Sequence, residues 1–366
     1  MLVGQCGIAS RKTGLAVNTK FTTAESWNDF TVGTPGGWGM LIGAGGGGHS
    51  TGDGQPGASG AAVKVWMPAG KYRVWIGKGG IPNTARNTDN SGYGAHGGAG
   101  GAGNDGTAGG QGGTPTILLR WVVNAWVVFA VAGAGGGGGA HLNSFSGRPG
   151  GGGAWFSHLV NVNAQYVLFT YNGISMARGT LGGGWNSQNQ DMSFLGGQNT
   201  TNTYLGGKGN NTTGVNADIQ NQWAGGAGGG STTNNRSGGG GGGGFGGGCG
   251  GNEGSTTGTV YAGHGGYIMV DSKRWGAAAT GGGHTNACAS GGSGGGSFWP
   301  EDGKSGEIPG STIGMVSTTD WRCQVQLSKW YGLPVTTGQG GTSGNYVSTT
   351  AGFNGGFVYT GSTVPF

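Results

Sequence analysis

The side chains best equipped for acid–base, nucleophilic or metal chemistry are sparse in this 366-residue chain. Its six histidines (His49, His96, His141, His158, His264 and His284) are far apart in sequence, and the closest ligand pair is His284 with Cys288. A zinc centre needs three or four converging ligands, so one pair does not make a site. The cysteines Cys6, Cys249, Cys288 and Cys323 show no C-x-x-C spacing. A disulfide between two of the last three and buried free thiols are both compatible with the sequence. No G-x-S-x-G elbow is present, and no cysteine has neighbours that would lower its pKa. Glu301-Asp302 is the only adjacent acidic pair, and a glycosidase requires two opposed carboxylates. Matches to G-x-G-x-x-G, such as the one opening at Gly43, carry no information in so glycine-rich a chain and lack the helix and acidic residue of a nucleotide fold. The expectation is a non-enzymatic protein with no catalytic residue, no bound metal and no cofactor.

Recognition by surface contact is the remaining chemistry. Rigid aromatic rings give contact area at little entropic cost, and Ser, Gly and Asn supply adaptable hydrogen bonds around them. Trp185, Phe194, Tyr204, Trp223, Phe298, Trp299, Trp330 and Tyr331 stand in such surroundings and are the candidate receptor-contacting residues. The net charge of +5 is spread thinly, without basic runs beside aromatics, so nucleic acid is not an expected partner. No apolar stretch reaches 18 residues, so no membrane insertion is expected. The opening Met1–Cys6 lacks the basic and apolar regions of a secretion signal.

Those side chains must be positioned by an unusual backbone. Glycine supplies 98 residues, about four times its usual share of roughly 7%. Interior glycines cost a helix about 1 kcal/mol each relative to alanine, so essentially no α-helix is expected. Disorder has a similar composition, but 13 Trp, 12 Phe and 10 Tyr gathered in compact apolar runs argue for a fold. Trp27–Val32 is a strand-like run, and period-two alternation occurs at Val63, Val65 and Met67 and at Tyr72, Val74 and Ile76, with Pro68-Ala69-Gly70 reading as a hairpin turn. The order strand, glycine run, loop, strand, turn, strand occurs twice, from Trp38 to Gly80 and from Trp126 to Phe169. Between the two units glycine takes every third position: Gly94, Gly97, Gly100, Gly103, Gly106, Gly109 and Gly112. A three-residue period fits a left-handed helix without internal hydrogen bonds, and 10 prolines are too few for collagen. The expected fold class is all-β with a polyglycine II helix bundle, in which short β-strands and hairpins flank glycine-rich left-handed helices.

Four segments follow: 1–37, an attachment or oligomerisation segment; 38–171, the two glycine-rich repeat units; 172–296, polar loops and a second glycine-rich block; 297–366, a C-terminal β segment. The runs Leu41–Gly48, Pro68–Gly80 and Val127–Gly139 resemble the glycine-rich domains of phage tail fibres and distal receptor-binding adhesins. They are also similar to the glycine-rich region of anaplastic lymphoma kinase. That resemblance, which covers roughly Trp38–Gly296, implies an extracellular virion protein of the tail or fibre. Such a protein displays variable loops on polyglycine II helices, binds a host cell-surface receptor (protein or glycan), and joins other virion or fibre proteins through its N-terminal segment. A structural fibre subunit, assembling through its glycine surfaces, is the alternative.

Overall fold

Period-two runs become strands here, and glycine runs become the links between them. In a computed structural model, residues 14–50, 56–102, 107–139, 165–171, 174–180, 223, 225, 238–244, 268–270, 273–275, 291–292, 294–308, 313–315, 323–325, 327–341 and 351–366 are described. The strands are β1 (Lys20–Phe21), β2 (Trp27–Val32), β3 (Gly37–Ile42), β4 (Ala62–Met67), β5 (Gly70–Trp75), β6 (Thr116–Val122), β7 (Ala125–Ala132), β8 (Gln165–Tyr171), β9 (Ile174–Thr180), β10 (Ile268–Val270), β11 (Lys273–Trp275), β12 (Trp299–Pro300), β13 (Gly306–Glu307), β14 (Ile313–Met315), β15 (Cys323–Val325) and β16 (Gly356–Gly361). No helix occurs among the described residues, and all pairings between strands are antiparallel.

Two sheets carry the core. One has the order β1-β16-β3-β4-β13, the other β2-β5-β6-β7. Alternation gives each sheet an inner face. Val63, Val65 and Met67 of β4 are fully buried, whereas Lys64 and Trp66 between them are half-exposed. They meet Phe30, Tyr72, Val74, Leu118, Phe129 and Phe357 in one apolar cluster drawn from both sheets. Each aliphatic side chain fully buried there contributes about 1.5–3 kcal/mol relative to exposure. The outer faces carry two smaller clusters, one around Met40, Ile42 and Val358, the other around Trp75, Ile117, Val131, Trp223 and Phe298.

One expectation is corrected. Pro68-Ala69-Gly70 is not a hairpin turn, because β4 and β5 lie in different sheets. Both edges of β4 are taken by β3 and β13, and both edges of β5 by β2 and β6, so the chain crosses between the sheets instead. The Tyr72 hydroxyl steadies that crossing by donating to the Pro68 carbonyl at 2.8 Å. β1 pairs with β16 and β2 with β5, so residues 20–32 belong to the same two sheets as the first repeat unit.

Beyond β3, β5 and β7 the chain runs on into glycine-rich passes, and others lead back into β4, β6, β12 and β16. Their amides bond from one pass to another with a period of three. In residues 43–50, Gly43 and Gly46 donate to Ala61 and Ala58. Ala44, Gly47 and Ser50 donate to Thr114, Gln111 and Ala108, and Gly45 donates to Phe353. The carbonyls follow the same rotation: Ala44 and Gly47 accept from Gly135 and Gly138, Gly45 from Gly80, and Gly46 from Gly341. This one pass is therefore surrounded by six others. From Gly109 to Thr114 every N–H donates to another pass, and every carbonyl from Ala108 to Thr114 accepts; the Gly112 carbonyl accepts from the Asn87 side chain. Buried backbone groups are thus satisfied without sheet or helix.

The triplet stretch contains more than one pass. The chain folds back on itself: Gly109 donates to Gly101 and Gly112 to Gly98, with Ala102 bridging antiparallel to Ala108. Gly94 stands outside the packed passes with φ +66° and open space where a side chain would go. At Gly97, Gly100, Gly109 and Gly112 an added Cβ would overlap the carbonyls of Gly112, Gly109, Gly238 and Gly241 respectively. Gly103 and Gly106 lie outside the described residues.

Candidate functional site

The most distinctive surface is the outer face of the β2-β5-β6-β7 sheet. Register sets its side chains in rows: Trp27 opposite Trp75, Asp29 opposite Arg73, Thr31 opposite Lys71, and Trp121 opposite Trp126. The row nearest the glycine passes is covered. Trp75, Ile117, Val128, Val131, Trp223 and Phe298 pack together there, with Tyr93 stacked on Trp223 at 5.0 Å. Away from the passes the face opens into a groove of about 400 Å3 lined by Asp29, Phe30, Thr31, Lys71, Tyr72, Trp121 and Trp126.

Its groups are fixed by one another. Asp29 accepts from Arg73 Nε and Nη2, both at 2.9 Å, a bidentate pair that holds the guanidinium flat. The guanidinium lies 4.3 Å from the Trp126 ring and 5.6 Å from the Trp27 ring. Trp121 stands at 70° to Trp126 with ring centroids 5.1 Å apart. Asp29, Lys71 and Trp121 are exposed. Beneath them Tyr72 is buried, and desolvation pushes its phenol well above the ordinary range, against a smaller lowering by Arg120. The arrangement offers an aromatic surface, a carboxylate and a cation to a ligand.

The residues expected to contact a receptor are scattered differently. Trp223 and Phe298 are fully buried and Trp299 is 2% exposed, so these three are core residues. The physical reason is scarcity of side chains: glycine passes cannot cover an apolar sheet face, and large rings from distant segments must. Phe298 is drawn in by reciprocal amide bonds with Val131 at 2.9 and 3.1 Å. Trp330 and Tyr331 are half-buried against the cluster around Leu333 and Val358, and the Tyr331 hydroxyl donates to the Val364 carbonyl at 3.1 Å. Trp185, Phe194 and Tyr204 lie outside the described residues. The groove itself was missed, although its signal was present: Lys71, Arg73 and Trp75 alternate with the buried Tyr72 and Val74, so the polar side of that strand was readable.

Among the described residues no group of three or more His, Cys, Asp or Glu is placed to hold a metal ion. Among the described residues no helix is long and apolar enough to cross a membrane. No protein-family model matches the sequence, and no curated protein is significantly similar to it.

Proposed function

We propose that the chain is a non-enzymatic virion receptor-binding protein of the tail-fibre tip class. In this reading it displays its connecting segments to a host surface molecule, on a scaffold of polyglycine II helices. The supporting observation is the three-residue rotation of amide bonding, in which residues 43–50 address six surrounding passes in turn. A helix with three residues per turn and no internal hydrogen bonds points its amides outward in three directions, which is the pattern such a bundle needs. Packing of this kind requires glycine wherever a Cβ would meet a neighbouring carbonyl, as at Gly97, Gly100, Gly109 and Gly112, and it converts a side-chain-poor chain into a rigid platform. Segments joining the passes are then free to vary without loss of the scaffold. The polar segment 181–222, which follows β9 and contains Trp185, Phe194 and Tyr204, is the proposed receptor-contacting region, and the N-terminal segment the proposed link to other virion proteins.

The test is binding of purified, labelled protein to host cells. Saturable binding that is lost when 181–222 is replaced by a Gly/Ser linker of equal length, with β9 kept, supports the adhesin. Filament formation without any cell binding would replace it with the structural fibre subunit.

A further inference from the structure

We propose that the groove on the outer face of the β2-β5-β6-β7 sheet binds an acidic saccharide, at a site separate from the connecting segments. Its volume of about 400 Å3 lies within the range of about 300–1,000 Å3 usual for small-molecule sites. Three features select the ligand class. Trp121 is 38% exposed and braced by Trp126, so it presents a preorganised ring to the apolar face of a pyranose. Asp29 keeps 60% of its side chain exposed while both its oxygens accept from Arg73. A carboxylate oxygen has further lone pairs, and those of Asp29 can accept from sugar hydroxyls. Lys71 stands exposed across the strand pair from Thr31.

Charge decides between neutral and acidic sugars. Among the described residues of the open face two cations, Lys71 and Arg73, stand against the carboxylate of Asp29. Arg73 is committed to Asp29 and to the two indole rings, so Lys71 is the group left to meet a ligand carboxylate. The Asp29–Arg73–Trp126 assembly is a positioning device: it holds the platform still, so little ordering cost falls on binding.

The inference does not rest on the adhesin reading, and its test uses soluble ligand without cells. The full chain is titrated with trigalacturonate, trisialic acid and maltotriose, following tryptophan fluorescence and heat. Saturable binding of an acidic trimer, at least tenfold tighter than maltotriose and weakened at 0.5 M salt, is the expected result. Trp121→Ala should abolish it and Lys71→Gln weaken it about tenfold, with unchanged urea midpoints showing that both variants fold. A chain with 181–222 replaced should keep the saccharide even where it no longer binds cells. Absence of saturable binding to both acidic trimers, equal binding of maltotriose, or binding that survives Trp121→Ala would each overturn the proposal.

Discussion

At Gly112 a single methyl group would overlap the carbonyl of Gly241, a backbone atom that cannot rotate away. Overpacking of that kind costs about 1–3 kcal/mol. Gly112→Ala should therefore lower the unfolding free energy by that amount, read as a lower urea midpoint at unchanged slope. Gly306→Ala meets only the Trp299 ring, no nearer than 3.8 Å, and should stay within about 0.5 kcal/mol of the parent. If the two substitutions cost the same, glycine is not required by packing. Tyr72 gives a second residue-scale expectation. Burial raises its pKa in the folded state, as it does more weakly for Tyr331 and Tyr359. Above about pH 10, where an unfolded tyrosine ionises, the folded chain still holds the phenolic proton. The unfolded state then binds fewer protons, so stability falls as pH rises through and beyond that value. Urea unfolding at pH 8 and pH 11 should show this loss, and Tyr72→Phe should make it shallower.

Among the elements, the β6–β7 hairpin carries the clearest local conflict. Val122 pairs with Ala125, leaving a two-residue turn in which Val123 has φ +43° and Asn124 φ +66°. Both central positions of such a turn favour Asn or Gly, and a β-branched residue there is strained by about 1–2 kcal/mol. Val123 is also 90% exposed, so nothing packs to hold it. Val123→Asn should stabilise the protein by about 1 kcal/mol, read as a higher melting temperature. At this scale the sequence was only partly legible. The strands at 62–67 and 70–75 follow from alternation, and those at 27–32, 37–42 and 125–132 were expected as strand-like runs. β6 was not, because Thr116–Leu119 is buried on both sides and shows no alternation. Sheet membership was hidden as well: whether two neighbouring strands pair or cross between sheets depends on which distant strands occupy their edges. β16, some three hundred residues after β3, supplies such an edge. The groove shares this difficulty, since Asp29, Lys71 and Trp121 reach one face only through two strand registers.

For the whole molecule, the decisive feature is that glycine passes and strands are one continuous chain. β3 runs into Gly43, β7 into Gly133, and the passes at 57–61 and 352–355 lead directly into β4 and β16. The passes also bond mainly to partners distant in sequence, as with Gly45 to Phe353 and Gly57 to Gly341. Separating one pass from the array breaks amide bonds to several others and pulls on a central strand, so local opening is penalised throughout. Ordering a glycine costs more backbone entropy than ordering any other residue, and only a fully bonded array offsets that cost. Partial arrays gain little. Amides of Gly109–Thr114 and Ala134–Gly138 should therefore exchange with solvent as slowly as those of β3 and β4, and should lose protection together with them as urea is raised. Amides at Gly92 and Gly94, which lie outside the packed passes, should exchange orders of magnitude faster. Protection confined to the strands, with glycine amides exchanging freely, would mean that the sheets fold without the array and that the scaffold is not rigid.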